Sequence, residues 1–578
     1  MVSSLAAAWT RKGISRSSVW ATGLLLLVGF LALSPALMVV YASLNSGSPM
    51  RPGTFTLDGY WTVFSTPRAV DAMWTSLWLA VTRTATSVGI AAFFAWVVAR
   101  TDTPWRSFLH FALAVRMFIP SLPLIAAWML LASPKSGMLN VWLMSLLPFD
   151  GPIFDIYSSA GIIVVSTFGA VPIWFLILLP AFTQMDASFE ESSRMCGVGS
   201  VATFFRVTLP LLAPALFAVI LLSLIHWLET FDTEIFLGGP AGIYVISTVV
   251  YQYIQQSMPA KYPPAMAFST VLTVLTAALV FIYWARIASK QRKYTVVTGR
   301  GYAVRPIRLG RWKYVTLALA LLYFFVSTVL PASMVFILGP FMKTAGVFAG
   351  NWFTLEHWAI VTVPQVRSAL MNSLILAVSA ATLGAVLYAV SSYLILRTSF
   401  KGRGLLELVT WVPYTMPGIV LALGLLWVYV GTIKLPFIVM YGSMQMLVLA
   451  CIIKRLPLGV RTMNGVTIQI GKELEEASRV HGASWSFTFT RVLIPLLWPG
   501  IVSVWLLTGI FSVQELVVVL MLYGVDTMTL SVYFFVLLGR GMGFSSALVI
   551  GMLEFALIVL FWLTAKLLSR RVGASGGL

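Results

Sequence analysis

The sequence predicts an all-α integral membrane protein of about 12 transmembrane helices, built as two parallel six-helix repeats, and three observations predict it. Hydrophobic residues make up 59% of the 578 residues and charged residues only 10%, against roughly 25% charge in a soluble domain. Apolar stretches of about 20 residues, enough to cross a hydrocarbon core as helices, recur along the whole chain. The second six of these stretches echo the first six in sequence as well as in spacing. The expected divisions are a first membrane half at 1–288, a basic linker at 289–313 and a second half at 314–578.

The first span begins near Val19, behind Arg11, Lys12 and Arg16. Its apolar run is longer than the 7–15 residue core of a secretory signal, and it recurs. Pro35-Ala36 with Met38-Val39 returns as Pro331-Ala332 with Met334-Val335, and Phe55-Thr56-Leu57-Asp58 returns as Phe353-Thr354-Leu355-Glu356. Further spans of the first half begin near Ala72, Phe108, Ala160, Leu212 and Ala265, and those of the second near Tyr314, Ala369, Leu405, Tyr441, Pro499 and Gly541. Ser76-Leu77 matches Ser373-Leu374, and Arg100-Thr101 matches Arg397-Thr398. Pro120 and Pro123 pair with Pro413 and Pro417, and prolines inside the third and ninth spans remove helical hydrogen bonds and predict kinks or breaks. An even number of spans per repeat gives both halves one orientation, related by a pseudo-two-fold axis along the membrane normal.

Between the halves, the segment from Arg286 to Lys313 holds Lys290, Arg292, Lys293, Arg300, Arg305, Arg308 and Arg311 and no acidic residue. With the N-terminus inside, most Lys and Arg fall on the cytoplasmic side, as the positive-inside rule requires, and both termini are cytoplasmic. The net charge of +19 is then read as topology-setting charge held at lipid headgroups, with membrane lipid and not nucleic acid as its partner. Two cysteines in unrelated settings and four scattered histidines supply neither a disulfide framework nor a stable metal site.

The strongest internal match is a loop after the fourth span of each half. Glu190-Glu191-Ser192-Ser193-Arg194-Met195-Cys196-Gly197 aligns with Glu475-Glu476-Ala477-Ser478-Arg479-Val480-His481-Gly482. Downstream, Phe204, Arg206, Pro210 and Pro214 align with Phe489, Arg491, Pro495 and Pro499 without a gap. Carboxylates that complement a helix N-terminus, a glycine that lets the helix turn, and an amphipathic piece ended by proline describe a docking surface. No nucleophile-base pair is present. Two copies on one face imply a partner that itself comes in two similar copies.

Glu, two small residues, three variable positions, Gly, then nine positions before an aliphatic-x-aliphatic-Pro ending resembles the coupling motif of type I ABC importer permeases. The pattern fits at Glu191, Gly197 and Pro210 and again at Glu476, Gly482 and Pro495, with serines at 192, 193 and 478 where the family has alanines and Ile494 in place of leucine. The resemblance implies two copies of a cytoplasmic ABC ATPase beneath the loops, an extracytoplasmic substrate-binding protein, and a bacterial cytoplasmic (inner) membrane location. ATP and Mg would be used by the ATPase, with no cofactor bound by this chain. In keeping with that, Gly465 and Gly471-Lys472 have the wrong spacing for a phosphate-binding loop, and Glu473 stands where Ser or Thr is needed.

The fused two-half form, the Pro240–Val245 run and the Val297–Gly301 run resemble ferric-iron importers, with aminoethylphosphonate and thiamine permeases close alternatives. Ionisable residues inside the membrane are the place to look for a path. Glu229, Asp232 and Glu234 end the fifth span and Glu515 falls in the matching part of the eleventh. Glu229, Asp232 and Glu515 are the expected path residues, as hard oxygen ligands suited to a trivalent cation in transit; capping of helix ends, pairing with Arg83 or Arg116, or simple contact with external water are the competing expectations. Glu554 is expected to be a packing or headgroup feature. A twelve-span secondary transporter is the alternative from another class, and a membrane-embedded enzyme finds no catalytic set.

Overall fold

Every backbone polar group at membrane depth needs a partner within the protein, which leaves helices as the economical solution for apolar stretches of this length. The computed structural model describes residues 16–146, 151–185, 188–286, 306–348, 350–432, 440–539, 541 and 543–570. Among these residues the chain is helical, with isolated bridges between loops and no extended sheet. Most of the expected linker at 289–313 lies outside the described residues, which resume at Pro306.

The first half contains α1 (Val19–Ser43), α2 (Pro67–Arg100), α3 in two arms (Arg106–Phe118 and Ser121–Ala132), α4 (Ser159–Thr183), α5 (Phe204–Glu229) and α6 (Tyr262–Tyr283). The second contains α7 (Trp312–Phe341), α8 (Pro364–Arg397), α9 in two arms (Arg403–Thr415 and Gly418–Gly431), α10 (Met444–Gln469), α11 (Ser486–Val513) and α12 (Phe544–Ser569). The chain is thus a multi-pass membrane protein. In each half the second helix packs on the fourth (α2 on α4, α8 on α10), and the fifth helix closes against the second. The first helix of each half crosses to the other half: α1 packs on α9, and α7 packs on α3. Gly424 permits the first of these crossings, because a Cβ there would run into the Pro35 carbonyl.

The arms of α3 meet at 99° and those of α9 at 105°. The structure changes the pairing of the prolines at these breaks. Pro120 and Pro417 are the equivalent pair, each standing immediately before the second arm in an extended conformation. Pro123 lies in the first turn of its arm, and Pro413 belongs to the last turn before the break. A proline costs nothing at the residue where a helix has not yet begun, since its missing N–H had no partner there.

A further bent pair follows α5: Glu234–Ala241 and Ile246–Gln256, meeting at 85°. Its counterpart after α11 is Val517–Leu522 with Leu530–Gly539. Both are pinned alike. The Ile246 N–H donates to Ser76 Oγ at 2.9 Å, and the Leu530 N–H donates to Ser373 Oγ at 2.9 Å.

Candidate functional site: two matching surface helices and a charged cavity

Ser188–Met195 and Glu473–Val480 are short helices with Glu190 and Glu191, and Glu473, Glu475 and Glu476, in their first turns. Acidic side chains there stabilise the positive end of the helix. Each helix ends two residues before a glycine in the left-handed region, Gly197 at φ +79° and Gly482 at φ +78°, a conformation that side chains with a Cβ avoid. The chain then enters a second short piece, Ser200–Thr203 or Trp485–Thr488. Ser193 Oγ and Thr203 Oγ1 share a hydrogen bond of 3.0 Å, and Ser478 Oγ and Thr488 Oγ1 one of 2.8 Å. The serines at 193 and 478 therefore brace the two pieces against each other, which alanine cannot do.

Pro210 and Pro495 do not end this second piece as expected from sequence. Wide π-type turns at Phe204–Thr208 and Phe489–Leu493 precede them, and the helix runs on through both prolines into α5 and α11. Such a turn relieves the i−4 contact that otherwise makes proline break a helix. Arg206 and Arg491 lie on these turns and are exposed. The side chains of Arg194 and Arg479 lie outside the described atoms.

A buried clamp ties each surface helix to the membrane core. Arg100, the last residue of α2, donates from Nη2 to Glu190 Oε2 at 2.6 Å and from Nη1 to the Met185 carbonyl at 3.0 Å. Thr208 donates its hydroxyl to Glu190 Oε1 at 2.8 Å. In the second half Arg397 ends α8, donates to the Thr467 and Ile470 carbonyls, and stands 3.5 Å from Glu475 Oε1. Leu493 occupies the position of Thr208, so Glu475 lacks the second donor. Outside the clamp, Met195 and Val480 at matching positions are 89% and 85% exposed, and Glu191 and Glu476 face outward. The linker meets the first clamp directly, since the Ile307 N–H donates to the Arg100 carbonyl at 2.7 Å.

Between the halves lies a cavity of about 310 Å³ lined by parts of α3, α4, α5, α10, α11 and the segments after α5 and α11. Glu229, Asp232 and Glu515 all line it, as do His226, Arg116, Lys454 and Arg455. Lys454 Nζ donates to Glu515 Oε1 at 2.7 Å, and Arg455 Nη2 donates to Glu515 Oε2 at 2.8 Å. Gly418 makes room for Lys454, because a Cβ on it would stand 2.8 Å from the ammonium nitrogen. Glu234 turns away from the cavity and pairs with Arg83, with both side chains 1% exposed. Thr230 bridges the two, and the guanidinium lies over the Trp227 ring. Glu229 and Asp232 have no ion-pair partner among the described residues, so neither Arg83 nor Arg116 neutralises them. Glu554 is buried and accepts the Ser531 hydroxyl at 3.1 Å, a packing role.

Comparison with known proteins decides the family. The model of the family described as binding-protein-dependent transport system inner membrane component matches residues 87–294 and 381–573. The chain belongs to this family. Each match carries one surface helix with its clamp glutamate. Among relatives, the putative ferric transport system permease FbpB 1 of Haemophilus influenzae is 27% identical over 391 residues, covering 66% of this chain and 59% of the relative. The Fe(3+)-transport system permease FbpB 2 of the same organism is 23% identical over 533 residues, covering 89% and 92%. The spermidine/putrescine permease PotB of that organism is 27% identical over 257 residues, 44% of this chain and 88% of the relative.

The clamp arginines stand out in sequence as the matched Arg100-Thr101 and Arg397-Thr398, and Glu190 and Glu475 as the first residues of the matched loops, but nothing in the sequence pairs them. Lys454 and Arg455 were missed as cavity residues. The signal was their position well inside the tenth apolar stretch, opposite an intramembrane Glu515 that needs a counter-charge.

Proposed function

We propose that this chain is the membrane permease of a binding-protein-dependent ABC importer that carries ferric iron into the cytoplasm by ATP-driven alternating access. Two copies of a cytoplasmic ABC ATPase, which hold the ATP and Mg, dock on the two surface helices. One copy meets Glu191, Arg194, Gly197, Arg206 and Pro210 on the helix that Glu190 anchors from beneath, and the other meets Glu476, Arg479, Gly482, Arg491 and Pro495 on the helix that Glu475 anchors. A substrate-binding protein delivers cargo at the opposite face. The protein sits in the bacterial inner membrane with both termini cytoplasmic, and the linker's basic residues lie at lipid headgroups.

The observation that carries this reading is the doubled attachment: both surface helices are braced by a Ser–Thr pair and held to the end of a membrane helix by a buried arginine. A helix fixed at its first turn to a long rigid helix moves as one body with it. Closure of the ATPases would then reorient α2 and α8 and with them the walls of the cavity. Exposed Met195 and Val480 supply apolar contact for grooves on the ATPases. Ferric cargo is supported by the names of two relatives and by the oxygen ligands of Glu229 and Asp232, which suit a hard cation in transit.

The test is uptake of radiolabelled ferric iron by proteoliposomes holding the assembled complex. Glu229→Gln and Asp232→Asn should each cut the uptake rate at unchanged assembly. Full uptake by the double variant would remove these residues from the path.

A further inference from the structure

Apart from His226, the cavity lining carries three basic and three acidic side chains, and they are not all paired. Arg116, Lys454 and Arg455 face Glu229, Asp232 and Glu515, yet only Glu515 is engaged, by Lys454 and Arg455 together. Arg116 has no carboxylate within ion-pair distance among the described residues. It is 8% exposed, its Nη1 reaches the Ile119 carbonyl only at 3.4 Å, and its Nε has no partner. A guanidinium keeps its proton in any protein environment, and a buried charge without a counter-charge is costly. The site therefore presents groups of both kinds without an ion-pair partner among the described residues, the carboxyl groups of Glu229 and Asp232 and the guanidinium of Arg116.

The two halves reach this arrangement by different residues. Lys454 and Arg455 of α10 correspond to Gly169 and Ala170 of α4, as the shared helix-starting Ser158 and Ser443 and the shared Pro172 and Pro457 establish. Where the second half has Lys454, the first half has a bare backbone with the Arg116 guanidinium over it. Its Nη2 lies 3.8 Å from where a Cβ on Gly169 would stand. Both halves thus set a cation at this level of the cavity, one from α10 and one from the break in α3.

We propose that Arg116, with Lys454 and Arg455, forms an oxyanion subsite, so that the cargo enters as a compact species of mixed charge whose anionic oxygens face these residues and whose cationic centre faces Glu229 and Asp232. A bare trivalent cation would satisfy the carboxylates and leave Arg116 facing further positive charge. A cation that keeps a small oxyanion ligand satisfies both, and so does a compact organic zwitterion. The volume of about 310 Å³ corresponds to on the order of ten waters, which fits a small carboxylate, phosphate or phosphonate. Assigning the subsite to cargo rests on the importer reading; the subsite itself does not.

Equilibrium binding to the full-length permease in lipid nanodiscs, without ATPase, tests it. Radiolabelled orthophosphate should bind saturably. Arg116→Met and Lys454→Met should each weaken that binding about tenfold or more, while Glu229→Gln leaves it intact. Arg116→Lys, which keeps the charge, should retain part of it, and carries the test if the methionine variant is not monodisperse. In a second arm, Fe(III) raising the retention of labelled citrate in the wild type but not in Glu229→Gln identifies a metal–oxyanion cargo. Displacement of orthophosphate by 2-aminoethylphosphonate at far lower concentration, with no effect of Fe(III), identifies a zwitterion. Absence of saturable binding of all three anions, or binding unchanged by both methionine variants, overturns the subsite. Either result leaves the importer reading standing, because that reading falls only if no ATPase associates.

Discussion

Glu190→Gln should loosen the first surface helix far more than Glu475→Gln loosens the second. Glu190 accepts from Arg100 at 2.6 Å and from Thr208 at 2.8 Å, and the arginine is fully buried. Removing the carboxylate charge leaves Arg100 buried opposite a neutral amide, and breaking such a pair costs about 3–5 kcal/mol. Glu475 stands 3.5 Å from Arg397, has Leu493 at the position equivalent to Thr208, and its arginine keeps two carbonyl partners. Its loss should cost about 1 kcal/mol. The difference of roughly 2–4 kcal/mol is a factor of about 30 to 1,000 in the local opening equilibrium. Hydrogen–deuterium exchange of the amides in Ser188–Met195 and Glu473–Val480, measured by mass spectrometry in nanodiscs, reads that opening directly. Equal acceleration in the two helices, or a larger one for Glu475→Gln, would refute the inference that clamp geometry sets their attachment.

The Arg83–Glu234 pair allows a second comparison, because the equivalent positions of the other half carry Ala380 and Val519, both buried. Glu234→Val alone should lower the thermal midpoint strongly, and adding Arg83→Ala should restore much of it, since apolar replacement of a whole buried pair is often neutral; further destabilisation by the second change would contradict this. Two glycines should separate by mechanism in the same thermal scan. Gly459→Ala drives a Cβ into the Tyr388 ring, whose hydroxyl donates to the Ile452 carbonyl at 2.7 Å, and should prevent the close approach of α8 and α10 at a cost of several kcal/mol. Gly197→Ala meets open space and only a left-handed backbone, at about 1–2 kcal/mol, so the order Gly459→Ala far worse than Gly197→Ala is expected.

Periodicity and repetition made the spans, the two-half architecture and the surface helices legible, because each depends on residues near one another in sequence. The clamps were half legible: the arginines repeat, but nothing local says that the end of α2 reaches a carboxylate beyond α4. The bent segments after α5 and α11 were not legible, since Ile246–Gln256 and Leu530–Gly539 are too short to stand out among longer apolar runs. Glu234 illustrates the same limit. It sits beside Glu229 and Asp232 in sequence, yet the bend after α5 sends it to Arg83 and away from the cavity. The prolines were read as breaks correctly, but which proline occupies the break depended on helix phase that the spacing alone leaves open.

The most direct test of the account is native mass spectrometry of the assembly purified from its own membrane with the surface helices intact. Two nucleotide-binding ATPase subunits per chain are predicted, with one lost when Glu190–Gly197 is replaced by a Gly/Ser segment and the other retained. A chain that carries no ATPase while both Ser188–Met195 and Glu473–Val480 are intact would contradict the central claim.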